Sequence, residues 1–236
     1  MAKKYFGIIG AMSQEVDCYR DSLSDIVKHR WFDYTFYEGK LKGRDVVVVK
    51  SEIGITHAAL VTQKLIDSFD SITNIIFSGV AGALDKDLDI GDVVISESLA
   101  YHDLDARPFA PVRGQIPYTD LRFFEADEYL ISLARKAQVP GQKIVKGVVL
   151  TGHQFLDKKR RRRKSYLTKE FNGTCVDMEG CAVAHASYVN GIPFLIIRSI
   201  SDRADGRAVT DFGAFANIVA NNNLRVLESI LDNYRD

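Results

Sequence analysis

Three carboxylates stand at the edges of apolar runs. Glu15 ends the stretch Gly7-Ile8-Ile9-Gly10-Ala11-Met12-Ser13-Gln14-Glu15, Glu179 follows Val176-Asp177-Met178, and Asp202 follows Ile196-Ile197-Arg198-Ser199-Ile200-Ser201. Such apolar runs read as buried strands, and in α/β sheets ligands lie beyond the carboxyl ends of the strands. Acids placed there suit proton transfer combined with stabilisation of developing positive charge.

Each acid also has a plainer explanation. Glu15 falls in the first turn of the next helix, where negative charge is favoured. Asp177 and Glu179 form an acidic pair of the kind that starts helices. Ser201 and Asp202 suit a helix cap or a turn. The chemical alternatives are specific. An ionised carboxylate at 179 only accepts hydrogen bonds, so it can grip two vicinal hydroxyls of a ribose. Asp202 in a partly dry pocket can hold a proton and act as a general acid.

Glycine-bearing turns accompany these acids. Gly7 to Met12 reads as strand then turn, without the G-x-G-x-x-G fingerprint or a P-loop lysine. Ser78-Gly79-Val80-Ala81-Gly82-Ala83 is expected as a strand-to-helix turn, alternatively a cradle for an anion or a sugar edge. Gly54 marks a similar turn. The run KKRRRRK, Lys158 to Lys164, reads as a solvated face. Consecutive charges cannot all meet one partner, and no aromatic-basic groove supports nucleic-acid binding. If Phe155 and Leu156 line a pocket, that run borders its mouth and biases the entry of anions.

The elements that must position these residues are legible as apolar runs. Strands are expected at Phe6–Gly10, Tyr34–Leu41, Asp45–Ser51, Asn74–Ser78, Asp92–Ser96, Ile144–Leu150 and Phe194–Ile200. Lys42-Gly43-Arg44 reads as a hairpin turn. Helical faces run through Ala58, Val61, Leu65 and Phe69, and through Phe215, Val219, Val226 and Ile230. Alternating strands and helices imply a mostly parallel sheet covered on both faces, with the hairpin antiparallel. Asp103–Asp120, carrying Pro108, Pro111 and Pro117, is expected as a long functional or interface loop. No linker or repeat divides the 236 residues, so one domain over 1–236 is expected.

Composition narrows the classes. Lys and Arg balance Asp and Glu at 31 each, which argues against a generic nucleic-acid or membrane-surface binder. No apolar stretch approaches the roughly 20 residues of a membrane helix. Tyr5 to Met12 is followed at once by acids and reads as a first strand rather than a targeting segment. Cys18, Cys175 and Cys181 lack a C-x-x-C spacing, and the histidines form no H-x-x-x-H pair. No metal, no cofactor and a reduced, cytoplasmic setting are therefore expected.

Taken together the motifs resemble one family, the 5′-methylthioadenosine/S-adenosylhomocysteine nucleosidases of the nucleoside phosphorylase superfamily. The resemblance runs almost end to end, through GIIGAMSQEV (7–16), SEIGIT (51–56), SGVAGAL (78–84), DIGDVVIS (89–96), YHDLD (101–105), TGHQF (151–155), VDMEG (176–180) and RSISDRAD (198–205). It implies a single α/β domain, a twisted mixed sheet flanked by helices on both faces, usually in a homodimer. It implies hydrolysis of an N-glycosidic bond to adenine and a 5-thio-substituted ribose. By position, Glu15 matches the base that activates water, Glu179 the carboxylate on the ribose hydroxyls, and Asp202 the acid that protonates adenine N7. Phe155 matches the ring stacked on the base, and Leu156 a backbone contact to it. Arg198 matches an arginine near the water, with Ser201 beside Asp202. Met12, Ile53 and Phe212 match the apolar wall around ribose and alkylthio group, and Val176 and Met178 flank the ribose carboxylate. Phe109 and Pro117 match residues lent by a neighbouring subunit. Val80 stands where many relatives carry serine, and His153 where aspartate is common. A phosphate-dependent phosphorylase of the same fold is the alternative, as is a nucleosidase for aminofutalosine or 5′-deoxyadenosine. A carboxylate at 15 with no nearby arginine repels phosphate and favours the hydrolase.

Overall fold

A computed structural model describes residues 3–156, 164–202 and 208–235, with side chains described outside 208–219. In chain order the elements are β1 (Tyr5–Gly10), α1 (Ser13–Asp21), β2 (Ser24–Trp31), β3 (Tyr34–Leu41), β4 (Arg44–Lys50), α2 (Ile55–Ser68), β5 (Ile72–Ala83) and β6 (Val93–Tyr101). There follow β7 (Phe124–Glu125), α3 (Glu128–Ala134), β8 (Ile144–Thr151), α4 (Tyr166–Lys169), β9 (Gly173–Asp177), α5 (Gly180–Val189), β10 (Phe194–Asp202) and α6 (Ala208–Asn233).

The strands form one mixed sheet in the order β10-β6-β8-β9-β5-β1-β4-β3-β2, with β7 added to β6. β10 also pairs in parallel with β5. Five strands, β5, β10, β6, β8 and β9, therefore close into a ring, and β1, β4, β3 and β2 extend it as an open wing. The ring and β1 are the most apolar part: every residue of β1 and β10 is buried, as are the central valines of β4. Strands covered on both sides read as continuous apolar runs, which is why they were visible in the sequence. Two helical layers do the covering. α1 and α3 pack against α6, and α2 packs against α5. Ala58, Val61 and Leu65 of α2 are buried as their spacing implied, with Phe69 just beyond the helix end. On α6, Val226 and Ile230 are buried, while the side chains of Phe215 and Val219 lie outside the described residues.

The hairpin forms where expected. Lys42 (φ 52°) and Gly43 (φ 76°) make a two-residue turn, and Leu41 pairs with Arg44 across it. Two expectations need correction. The segment Ser78–Ala83 is no turn: β5 continues to Ala83, because β10 pairs along its length as far as Gly82. Asp202 does not lie past its strand but ends it, opposite Gly82. Strand β2 was missed, since it is an edge strand with almost every residue exposed and no apolar face to read. The short strands β7 and β9 carried too few residues to stand out. The proline-bearing segment does run as an irregular loop between β6 and β7.

Candidate active site

Glu15 is held before it can react. Its N-terminal helical position brings the carboxylate back over the end of β1, where Oε2 accepts the backbone N–H groups of Ala11 (2.7 Å) and Met12 (2.9 Å). Oε1 accepts the N–H of Val80 from β5 (3.0 Å). The side chain is buried. Burial raises its pKa above the usual carboxylate value, and Arg198 and the three amides oppose that rise. The result is a strongly oriented carboxylate poised to take a proton.

Glu179 comes from the junction of β9 and α5, immediately before the helix. Its Oε1 accepts the N–H of Gly54 (2.7 Å). Gly54 has φ 108°, a conformation that side-chain-bearing residues rarely adopt, and this turns its amide toward the acid. Burial first, and the negative charge of Asp177 second, push Glu179 up to about 7, against the pull of Arg198 and the Gly54 amide. Asp202, the last residue of β10, is buried and accepts the hydroxyl of Ser201 (3.2 Å).

Behind these acids lies an ion pair that the sequence did not reveal. Arg198 is fully buried in the middle of β10. Its Nε donates to Asp177 Oδ2 at 2.8 Å, and Nη2 lies 2.7 Å from the same oxygen. The guanidinium sits over the ring of Phe77, 4.1 Å from its centroid. Nη2 is also 3.9 Å from Glu179 Oε2. Asp177 is further held by the hydroxyl of Thr151 (2.6 Å) and the N–H of Gly180 (3.0 Å). Arg198 thus supplies positive charge behind both Glu15 and Glu179, while Asp177 fixes where that charge sits. Close packing of this kind needs Gly79: a Cβ there would overlap Arg198 Nη1 and lie 2.5 Å from Glu15 Oε1.

Glu15, Glu179 and Asp202 line a single cavity of about 300 Å³, the lower end of the range for small-molecule sites. Met12, Ile53, Val80, Phe155, Leu156, Val176, Met178 and Ser201 line it too, so most of the expected binding residues are gathered there. Ile53 and Phe155 are about half exposed, at 53% and 48%, and form an apolar rim. Arg198 stands behind the wall and is not among the lining residues. Phe109 and Pro117 do not line the cavity of their own chain. Phe109 packs on Tyr118 at the surface, and both rings are exposed. The side chain of Phe212 and the basic residues 158–163 lie outside the described residues. Sequence reasoning missed Asp177, Gln154 and Thr151. Asp177 sits inside a motif already singled out, and its partner Arg198 lies in another.

With an apolar rim and acids converging from β1–α1, β9–α5 and β10, the cavity can enclose a flat base and a hydroxylated sugar beside groups able to accept and to donate protons. Among the described residues, no group of three or more His, Cys, Asp or Glu is placed to hold a metal ion.

Comparison with known proteins agrees with this chemistry. Residues 5–232 match the family model described as "Phosphorylase superfamily". A 5′-methylthioadenosine/S-adenosylhomocysteine nucleosidase from Actinobacillus succinogenes is 35% identical over 229 residues, which cover 95% of this chain and 97% of the relative. Among solved structures, a nucleosidase of the same name from Colwellia psychrerythraea, in complex with adenine, superposes with a TM-score of 0.91 at 34% identity, covering 98% of this chain and 95% of the other. A futalosine hydrolase mutant from Helicobacter pylori superposes with a TM-score of 0.89 at 32% identity, covering 98% of this chain and all of the other (100%).

Proposed function

The chain belongs to the phosphorylase superfamily, and from that premise we propose that it hydrolyses the N-glycosidic bond of 5′-methylthioadenosine and S-adenosylhomocysteine. The products are adenine and the 5-thio-substituted ribose. One observation carries the reading: Glu15, Glu179 and Asp202 all open onto one nucleoside-sized cavity. The near full-length similarity to nucleosidases of this name supports it.

Adenine leaves poorly as an anion, so Asp202 protonates N7 as the bond breaks, assisted by Ser201. Phe155 stacks on the base, and the backbone of Leu156 contacts its edge. Glu179, flanked by Val176 and Met178, accepts the ribose hydroxyls and stabilises the oxocarbenium character that develops at the sugar. Glu15 removes a proton from water on the far face, and its raised pKa brings it nearer the working pH of a general base. Arg198 holds the field behind both glutamates. Each proton transfer contributes roughly 10²–10⁴ in rate. Met12 and Ile53, which line the cavity, enclose the 5′ substituent.

Phosphorolysis fits less well. The candidate nucleophile site presents a carboxylate, and the nearest buried cation is already neutralised by Asp177, so a phosphate dianion meets net repulsion. A nucleoside panel tests the assignment. Methylthioadenosine and S-adenosylhomocysteine should both be cleaved with kcat/KM well above adenosine. Cleavage confined to aminofutalosine would move the protein to the neighbouring activity.

The working unit in this proposal is a homodimer in the cytoplasm. Phe109, 61% exposed, and the half-buried Pro117 close the neighbour's open rim. Free thiols at Cys18, Cys175 and Cys181 suit a reducing compartment. Sedimentation should give the mass of two chains. A fully active species with the mass of one chain would refute the shared pocket.

A further inference from the structure

The segment that carries Gln154, Phe155 and Leu156 into the cavity has no regular secondary structure, so something else must hold it. β8 ends at Thr151, paired with Tyr101 at the end of β6. The two residues that follow on β6 are His102 and Asp103. The N–H of His102 donates to the carbonyl of Thr151 (2.9 Å). His102 is fully buried and lies so close to Gly152 that a Cβ there would overlap its Nε2, and would stand 3.0 Å from Asp103 Oδ2. Asp103 Oδ2 accepts the backbone N–H of His153 at 2.7 Å. The imidazole of the same residue reaches the same oxygen, with Nδ1 at 3.4 Å. On its other side the turn is tied to β9, where the Gly152 N–H donates to the carbonyl of Asp177 (3.2 Å). Asp103 itself does not line the cavity.

We propose that Asp103 is a positioning residue for recognition of the base: its carboxylate, hydrogen-bonded to the His153 backbone, fixes the start of the segment that presents Phe155. The inference rests on the reading of Phe155 as the base-stacking ring. An unanchored segment must be ordered each time a nucleoside binds, so the loss falls on substrate binding rather than on the proton transfers at Glu15 and Asp202. One hydrogen bond to a charged acceptor corresponds to about ten- to hundredfold in an equilibrium constant.

Steady-state kinetics with methylthioadenosine, together with adenine affinity by calorimetry, test the proposal in Asp103→Ala, Asp103→Asn and Phe155→Ala. Asp103→Ala should raise KM and the adenine Kd about tenfold or more, with kcat changed less than about threefold. Asp103→Asn keeps an acceptor oxygen and should recover most of the affinity. An unchanged KM in Asp103→Ala overturns the proposal, as does an Asn variant no better than Ala. So does a joint collapse of kcat, KM and melting temperature in both variants. If Asp103→Ala does not fold, Asp103→Ser, too short to hold the same geometry, takes its place, and wild-type affinity there overturns the proposal equally. Phe155→Ala separates the two levels. An unchanged KM in that variant removes the base-stacking reading itself, whereas a raised KM there beside an unchanged one in Asp103→Ala removes the anchoring role alone.

Discussion

At the scale of single residues, burial sets the chemistry of the acids. Glu179 is the clearest case, pushed up to about 7 by burial and by Asp177. Below its unperturbed value of 4.5, Glu179 is protonated in folded and unfolded chains alike and contributes nothing. Between 4.5 and about 7 the unfolded chain gives up the proton while the folded chain keeps it, so stability falls as pH rises. Above that window both are ionised and the loss is complete, roughly 3 kcal/mol from a shift of this size. Glu179→Gln removes the titration. Thermal melts should show the variant gaining on the native protein by about 5–10 °C between pH 5 and pH 8. Parallel curves across that range would mean that burial does not raise the Glu179 pKa in the folded chain. The three acids themselves were legible, since each ends an apolar run. Their regulation by Asp177 and Arg198 was not. That pair depends on β10 and β9 meeting around the closed sheet, and the Thr151 hydroxyl reaches Asp177 only because β8 and β9 are in register there. Side-chain spacing within one segment carries no trace of such a contact.

At the scale of elements, the sequence conveyed strands through burial and failed where burial was absent or side chains were small. β1, β4 and β10 announced themselves as continuous apolar runs. β2 did not, because an exposed edge strand mixes charges with Ile26 and Val27 and has no period-two pattern. The end of β5 reads as a turn in the sequence because glycine and alanine dominate it. Those small residues have another cause. Gly79 lets Arg198 and Glu15 lie directly against the strand, and Gly82 leaves room for Asp202, whose Oδ1 would stand 3.3 Å from an added Cβ. The consequence is testable in Gly79→Ala. The methyl must displace the guanidinium or the carboxylate, so kcat/KM should fall at least about 10²-fold, the scale of one general acid–base role. Stability should drop by about 1–3 kcal/mol, as for overpacking elsewhere. A Gly79→Ala enzyme with native kcat/KM would show that the ion cluster tolerates repositioning and that its geometry is not decisive.

At the scale of the whole molecule, ring closure converts distant segments into one site. Glu15 arrives from the wing side of the sheet, Glu179 from the β9–α5 junction, and Asp202 from the end of β10. Alternation of strands and helices conveyed the layered α/β class. It could not convey that β10 pairs with both β5 and β6, because pairing between strands far apart in the chain leaves no local signature. The proline-bearing loop was legible as irregular, and its exposed Phe109 and Tyr118 give the proposed dimer a surface to use. The chain belongs to a superfamily named for phosphorylases while the relatives it resembles are nucleosidases, so the nucleophile that the carboxylate at 15 admits separates the two activities. The decisive measurement is adenine release from methylthioadenosine in scrupulously phosphate-free buffer, repeated with added phosphate and with analysis of the sugar product. Equal rates and a free 5-methylthioribose in both reactions are predicted. Release that requires phosphate and yields the sugar 1-phosphate would contradict the account.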